Sequence, residues 1–228
     1  EFSFAKGIDK SAALTAILTA TIRPSLPLAP MFHAFAPESG SGKSFLCTLI
    51  SAYATPRRNA PSTFPQDEEE CRKFLLSELL RAPAVITFDN MTCDLLPHKS
   101  LCTVLTEEYI TDRVLGVSKT VTVGTRTLFL SSGNNVMPVR DMTRRCITIN
   151  FDPRCESPAS REYKNPDLIG QMEKNRGFYV SAALTIIRAW IVAGRSETPC
   201  RSIVSYGAWS SLCRQPLLWL GLDDPTES

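Results

Sequence analysis

The sequence lacks several features that would indicate a function class at once. Its eight cysteines include no C-x-x-C pair, the spacing that is typical of zinc and redox sites. Most of these cysteines lie inside apolar runs, where reduced thiols are common in protein cores. We therefore expect a protein of the reducing cytoplasm, without disulfide bonds or a zinc site.

Long apolar runs and a strong net charge are also missing. No apolar run approaches the roughly 18 residues that a membrane-spanning helix needs, and the start of the chain resembles no signal peptide. We expect no membrane partner. The 25 basic and 23 acidic residues leave a net charge of +2, so nucleic-acid binding would depend on a local patch. An initiator Met is absent too, and we expect a piece of a longer protein.

Apolar residues make up 43% of the 228 residues, which is enough for a substantial core. Strand-like Leu- and Val-rich runs occur together with longer helix-like runs, so the composition predicts an α/β fold.

Residues 34–50 place a Gly/Ser-rich turn between a run typical of a strand and a run typical of a helix. Small residues allow successive backbone N–H groups to surround phosphate oxygens, and the following helix N-terminus adds its positive dipole end. Lys43 would supply a full charge to the terminal phosphates of ATP, and Ser44 would ligate Mg²⁺. The predicted phosphate-binding loop consists of Pro37, Glu38, Ser39, Gly40, Ser41, Gly42, Lys43 and Ser44.

One position departs from the pattern G-x-x-x-x-G-K-[ST]. Pro37 stands where the first glycine is expected. Proline fixes φ and removes a donor, but this position only begins the turn, whereas Gly40 and Gly42 lie where the backbone meets phosphate. The alternative is an ordinary Gly/Ser turn before a lysine. The flanking strand and helix favour the phosphate-binding loop.

Residues 83–90 form an apolar run that ends in an acid, which is typical of a buried strand whose carboxyl end meets a ligand. We expect Asp89 to hold Mg²⁺ through water, opposite Ser44; an ordinary strand-ending aspartate is the alternative. Many P-loop ATPases have a glutamate where this chain has Asn90. An amide can position water but cannot take its proton, so Glu107 or Glu108 is considered as a substitute base.

Alternating β-branched and polar residues predict a hairpin over residues 110–123, followed by another core strand. The cations Arg113, Lys119 and Arg126 punctuate this stretch. They either contact a DNA backbone or keep exposed strands soluble, and the residues alone favour neither interpretation.

Polar residues stand between the last two predicted strands of the core. Asn134 follows Gly133 after the strand predicted at 127–132, where an amide could reach the terminal phosphate; ordinary turn chemistry is the alternative. Arg144 and Arg145 precede the strand predicted at 146–151. They would either interact favourably with the dipole at a helix end or, as in ring ATPases, stabilise charge on the phosphoryl group in the neighbouring subunit's site.

The order of elements predicts three parts. Residues 1–30 would form a leading helix and a linker, because apolar residues at helical spacing are followed by three prolines. Residues 31–153 would form a P-loop ATPase core with a mostly parallel, five-stranded sheet flanked by helices. After a polar boundary at 153–177, amphipathic helices at 178–194 and 205–221 predict a small helical subdomain over residues 154–228.

The segments PESGSGKS, VITFDN, LSSGNN and DMTRRCITINFDP, followed by YGAWSSLCRQPLLWLGLDDP, resemble in their order the helicase module of phage and mobile-element primase-helicases. These proteins are relatives of superfamily-three helicases within the AAA+ group of P-loop NTPases. The resemblance extends from about Met31 to Pro225.

This resemblance implies a hexameric ring that hydrolyses ATP with Mg²⁺ to translocate on single-stranded or forked DNA, often joined to a primase domain in the full-length chain. Family roles carry over to Lys43 and Ser44 in the loop, Asp89 for magnesium, Asn134 as the sensor amide, and Arg144 or Arg145 as the finger. The hairpin matches the family's DNA-contacting region in position only. Pro37 and Asn90 leave nucleotide binding better supported than efficient hydrolysis.

Other functions fit the same motifs. A P-loop ATPase could load or remodel a protein, and stimulation of turnover by single-stranded DNA would distinguish a translocase from it. A nucleotide-dependent assembly module with weak hydrolysis is a second alternative, for which Asn90 is the motivating residue. A small-molecule kinase is weaker, because it has no need of paired arginines after the sensor strand.

Overall fold

A computed structural model of the chain describes residues 2–114, 116, 119–152 and 165–228. The strands are β1 (Met31–Ala36), β2 (Val85–Met91), β3 (Tyr109–Arg113), β4 (Thr120–Gly124), β5 (Leu128–Asn134) and β6 (Cys146–Asn150). The helices are α1 (Gly7–Ile22), α2 (Lys43–Ala54), α3 (Glu68–Leu79), α4 (Lys99–Thr106), α5 (Leu168–Lys174), α6 (Arg176–Val192), α7 (Gly207–Trp209) and α8 (Gln215–Trp219).

The central sheet is parallel and is flanked by helices, which confirms the predicted α/β class. Within the described residues it has four strands in the order β2-β5-β1-β6, instead of the five expected. Beyond β2, the proline-rich residues 54–66 contribute one parallel bridge, between Ser62 and Phe88. Pro61 and Pro65 stand close to Ser62 and have no N–H to donate, which limits pairing to that bridge.

Side chains of the central strands alternate between two apolar clusters. Phe32 and Ala34 of β1 belong to the cluster that includes α1 and α2, whereas Met31 belongs to the cluster that includes α3 and α4. Both faces of the sheet are therefore covered, as parallel sheets require. This explains why β1, β2 and β5 have nearly continuous apolar sequences.

The carboxyl ends of β1 and β5 meet at one edge of the sheet. Ala36, the last residue of β1, lies opposite Asn134, the last residue of β5, and Phe35 lies opposite Asn150 of β6. We call this edge the carboxyl edge and the other the amino edge. The loop between β1 and α2 therefore opens at the carboxyl edge, where parallel α/β sheets place their ligand sites.

β3 and β4 form a separate antiparallel pair, in which Tyr109 lies opposite Gly124 and Arg113 opposite Thr120. This confirms the predicted hairpin over the described residues. Residues 115, 117 and 118, at its tip, lie outside them.

α1 is fastened to the root of this hairpin by a buried guanidinium. Arg23, directly after α1, donates from Nε to the Thr127 carbonyl oxygen at 3.0 Å and from Nη2 to that of Thr125 at 2.9 Å. Burial, with a smaller contribution from nearby Arg126, lowers the pKa of Arg23 to about 10. The residues predicted as leading helix and linker thus pack against the connection between β4 and β5.

The C-terminal helices differ in part from the prediction. The polar segment predicted at 153–177 contains α5, and its first part, residues 153–164, lies outside the described residues. The helix predicted at 205–221 is α7 and α8 with a π-helical segment (Ser210–Arg214) between them. Trp209 does not only pack the helix pair, since its Nε1 donates to Thr19 Oγ1 of α1 at 2.8 Å. The division into three parts stays a prediction.

None of the described helices combines the length and the apolar character that would let it cross a membrane.

Candidate nucleotide-binding site

The loop between β1 and α2 has the backbone conformation that its glycines permit. Gly40 has φ of 73° and Gly42, directly before α2, has φ of 93°. Residues with a Cβ rarely adopt this left-handed region. A Cβ at Gly42 would meet Phe2 only at ordinary contact distance, so the backbone angle is what demands a glycine there.

Lys43 reaches back across this loop. Its Nζ donates to the Glu38 carbonyl oxygen at 2.7 Å and to Ser41 Oγ at 2.9 Å, and the residue is only 7% exposed. Burial lowers the pKa of Lys43, and the charge of Asp89 opposes that shift. Both hydrogen-bond acceptors are neutral, so the ammonium charge lies at the loop without a directly paired carboxylate among the described ion pairs.

Three donors converge on one oxygen of Asp89 in β2. Ser44 Oγ donates to Asp89 Oδ1 at 2.8 Å, the Asn90 backbone N–H at 2.9 Å, and Ser132 Oγ of β5 also donates to it. Ser44 and Asp89, the two predicted metal residues, are therefore in direct contact. Mg²⁺ prefers oxygen ligands such as this hydroxyl and this carboxylate. It typically takes one or two protein ligands together with phosphate oxygens and water. The residues present fit that ion.

The predicted amides lie on the same cavity as the loop. A cavity of about 280 Å³ is lined by Ser39, Gly40, Ser41, Gly42, Lys43, Ser44, Phe45, Asn90, Ser132, Gly133 and Asn134. Asn90 and Asn134 are both exposed there. Asn90 has φ of 54°, a value that asparagine tolerates better than most residues. Pro37 does not line this cavity; Glu38 contributes its carbonyl oxygen to Lys43.

The two arginines lie at the amino edge, because they directly precede β6. The five residues of β6 span about 16 Å, which separates both side chains from the loop of their own chain. Arg145 is 8% exposed and donates to the Asp141 carbonyl oxygen at 3.0 Å. Arg144 is exposed and donates from Nε to Asp141 Oδ1 at 2.5 Å. Both arginines hold the pKa of Asp141 below its ordinary value.

The three predicted DNA-contacting cations are not equivalent. Arg113 and Lys119 flank the hairpin tip and are exposed. Arg126 lies after β4, where it donates to Glu108 Oε2 at 3.2 Å and to the Pro24 carbonyl oxygen at 3.1 Å. Only the first two are on the hairpin itself.

The suggestion that Glu107 or Glu108 replaces a catalytic base is wrong for the chain's own site. The Glu107 carbonyl oxygen accepts from Thr125 Oγ1, and Glu108 pairs with Arg126 just before β5 begins. Both glutamates therefore lie at the amino edge, whereas Asp89 lies at the carboxyl edge.

Sequence reasoning did not single out Ser132. Ser132 contacts Asp89, and it stands two residues before Asn134 in the same strand, so alternation along the strand places both on one face. That period was a usable signal. Ser41 was counted only as part of the loop, although its hydroxyl is a direct partner of Lys43.

No protein-family model matches this chain, and no curated protein matches it. Among solved structures, 36 chains match. One of them is the apo A form of the NrS-1 C-terminal region, with 14% sequence identity and a TM-score of 0.47. The match covers 77% of this chain and 44% of that one. The chain thus spans less than half the length of the structure it matches.

Proposed function

We propose that this chain is an ATP-dependent DNA helicase or translocase module of a phage or mobile-element replication protein, which hydrolyses ATP at the interfaces of a ring. The observation that carries the nucleotide site is the convergence of Lys43, Ser44, Asp89 and Asn134 on one edge of the sheet. These residues come from three separate strands or their following loops. Their chemistry suits a triphosphate, since it combines a cation, backbone N–H groups, a hydroxyl, a carboxylate and an amide.

Each residue has a definite task in this proposal. The loop and the N-terminus of α2 bind the phosphates through backbone N–H groups, and the Lys43 ammonium exchanges its two neutral acceptors for phosphate oxygens. Ser44 and Asp89 would hold Mg²⁺, which when bound neutralises charge on the phosphates and orients them. Asn134 donates a hydrogen bond toward the terminal phosphate, and Asn90 orients water.

Completion of the site by a second copy is supported by where the arginines lie. Arg144 and Arg145 cannot serve the loop of their own chain, because β6 separates them from it. An exposed guanidinium such as that of Arg144 is suited to stabilise a transferring phosphoryl group across an interface. Exposed Arg113 and Lys119 on the hairpin supply the local positive charge that DNA binding needs, since the net charge of the chain is only +2.

One observation favours the alternative of a protein loader, or of an assembly module with weak hydrolysis. Asn90 takes the position beside Asp89, so the acid that would accept a proton from water is replaced by an amide. Nucleotide binding would then control association more than it drives movement.

The test is ATP hydrolysis by the purified protein with and without single-stranded DNA, over a range of protein concentrations. A translocase that acts as a ring gives turnover per subunit that rises with protein concentration and rises again with DNA. Tight ATP binding with slow, DNA-independent turnover would favour the assembly module. Failure to bind ATP at all would overturn the site itself.

A further inference from the structure

A buried histidine lies next to the candidate site without belonging to it. His33 is the third residue of β1 and is 0% exposed. It lies in register with Ser131 of β5, on the neighbouring strand. A polar ring in the middle of a core strand costs stability unless its nitrogens are hydrogen-bonded.

Both ring nitrogens of His33 have partners. Nδ1 lies 2.8 Å from Ser131 Oγ, and Nε2 lies 2.7 Å from the carbonyl oxygen of Val136. A carbonyl oxygen can only accept, so Nε2 carries the hydrogen and Nδ1 accepts from the serine hydroxyl. This fixes one neutral tautomer. Burial also favours the neutral ring, because burial lowers the pKa of His33 to about 4.

The Nε2 bond ends on the turn that carries Asn134. The chain reverses tightly after β5: a Cβ at Gly133 would lie 2.9 Å from the Val136 Cβ and 3.0 Å from the Met91 carbonyl oxygen. Asn135 has φ of 53°, and its N–H donates to the Ala36 carbonyl oxygen at 3.3 Å. His33 thus connects the centre of β1 to Val136 on the far side of the turn, two residues after Asn134 and three after Gly133, which both line the cavity.

We propose that His33 is a positioning residue, which holds the turn over residues 133–136 so that the Asn134 amide faces the phosphate cavity. The proposal rests on the proposed function, because the effect on turnover requires a nucleotide at this site. It assigns His33 no contact with nucleotide. Its action runs through one hydrogen bond, from Nε2 to Val136.

Two substitutions separate the two nitrogens. The amide of Gln reaches approximately as far as Nε2 of a histidine, whereas the shorter Asn places its amide near Nδ1. His33→Gln can therefore still donate to the Val136 carbonyl, and His33→Asn retains only the contact with Ser131. Ser131→Ala is the matched control, since it removes a hydrogen bond to the same ring but leaves the bond to the turn in place.

The first measurement needs no activity. Amide hydrogen exchange at Asn135, whose N–H is bonded to Ala36, reports whether the turn is held. We expect exchange to become about tenfold faster in His33→Asn, the factor that one lost hydrogen bond implies, and to change less than about twofold in His33→Gln and Ser131→Ala. Equal exchange in His33→Asn and His33→Gln overturns the proposal.

The second measurement compares kcat for ATP with the Kd of ATP in the same variants. We expect His33→Asn to lower kcat about tenfold with little change in Kd, and His33→Gln to restore kcat to near the wild-type value. A loss in Kd alone, or the same kcat in both variants, overturns the positioning role. If the wild-type protein shows no ATP binding, the proposed function fails, while the exchange measurement still decides whether His33 holds the turn.

Discussion

The Ser44 hydroxyl lies 2.8 Å from Asp89 Oδ1, so a residue at the start of α2 is in direct contact with one near the end of β2, 45 positions later. This contact exists because α2 starts, and β2 ends, at the carboxyl edge of the sheet. It joins the two groups expected to hold Mg²⁺.

Asp89→Asn is expected to keep the fold and to lose Mg²⁺-dependent turnover. The amide oxygen can still accept from Ser44 and Ser132, so the free energy of unfolding should change by less than about 2 kcal/mol. The missing negative charge removes the ligand for the cation. Turnover across a magnesium titration, together with urea unfolding, checks both halves. Wild-type turnover in this variant would show that Asp89 is not the metal-side acid.

Lys43→Ala is expected to weaken ATP binding by about 100-fold, which corresponds to roughly 3 kcal/mol for a lost charged hydrogen bond. The remaining loop acceptors, Glu38 O and Ser41 Oγ, carry no positive charge to replace it. Isothermal titration with ATP measures the change. Lys73→Ala is the matched control, since Lys73 is an exposed lysine of α3 that pairs with Glu69; an equal loss there would rule out a specific role.

Arg144 and Arg145 should differ in what their removal affects. Arg144→Ala should leave stability nearly unchanged, because the side chain is 55% exposed, and should remove most turnover of the assembled protein. Arg145→Ala should lower the free energy of unfolding by about 2 kcal/mol, because it deletes partly buried hydrogen bonds from a side chain that is itself only 9% exposed. Thermal unfolding and turnover of each variant separate the two effects.

Action across an interface is tested by mixing two inactive proteins. A subunit with Arg144→Ala has an intact loop, and a subunit with Lys43→Ala has an intact arginine. Where the second donates its arginine to the first, a complete site forms, so the mixture should exceed the sum of its parts. Strict additivity, with mixed assembly confirmed independently, would mean that Arg144 does not act in trans.

The hairpin cations should account for part of the salt dependence of DNA binding. Lys119→Ala should weaken single-stranded DNA binding about equally for all sequences and reduce the salt slope by about 0.7, which corresponds to one phosphate. Arg126→Ala provides the comparison, since Arg126 is held by Glu108 and Pro24 and should change the slope less. A slope that stays constant in Lys119→Ala would mean that Lys119 faces only solvent.

His33 should make stability depend on acidic pH. Its pKa is about 4 in the folded chain and about 6.5 when unfolded, so the unfolded chain binds the extra proton first. The contribution of neutral His33 to the free energy of unfolding is fully present above pH 6.5. It is lost as the pH falls toward 4, by about 3 kcal/mol in total. Urea unfolding of wild-type and His33→Gln protein at pH 7 and pH 4.5 should show this loss only in the wild type; parallel losses would contradict it.

The sequence was informative where one local pattern decides the structure. β1 begins and ends at the predicted residues, because an apolar run between Pro30 and Pro37 has no other place to stop. The contact of Ser44 with Asp89 followed from the rule that parallel strands end at one edge. The described residues form a four-stranded central sheet instead of the expected five strands, because Pro61 and Pro65 limit the stretch around Ser62 to one bridge with Phe88.

What could not be predicted depends on register between distant strands. His33 finds Ser131, 98 positions away, only because β1 and β5 pair in one register. The expectation that Glu107 or Glu108 could act as a base was wrong for a related reason. The edge of the sheet at which these glutamates lie depends on the direction in which β5 runs. The burial difference between Arg144 and Arg145 arises from packing around Asp141, which no period in the sequence encodes.

The cavity and the arginines are separated by the length of β6, so they lie at opposite edges of the sheet, the cavity at the carboxyl edge and the arginines at the amino edge. A two-fold dimer presents the same patch on both partners, and it cannot bring two opposite edges together twice. The proposed action of an arginine in the cavity of a second copy therefore requires head-to-tail contact, in which every added copy exposes the same unfilled edge for the next. Whether such a series closes or continues as a filament is set by the rotation between neighbours. A small change of angle at this contact would alter the number of copies without altering any residue of the cavity.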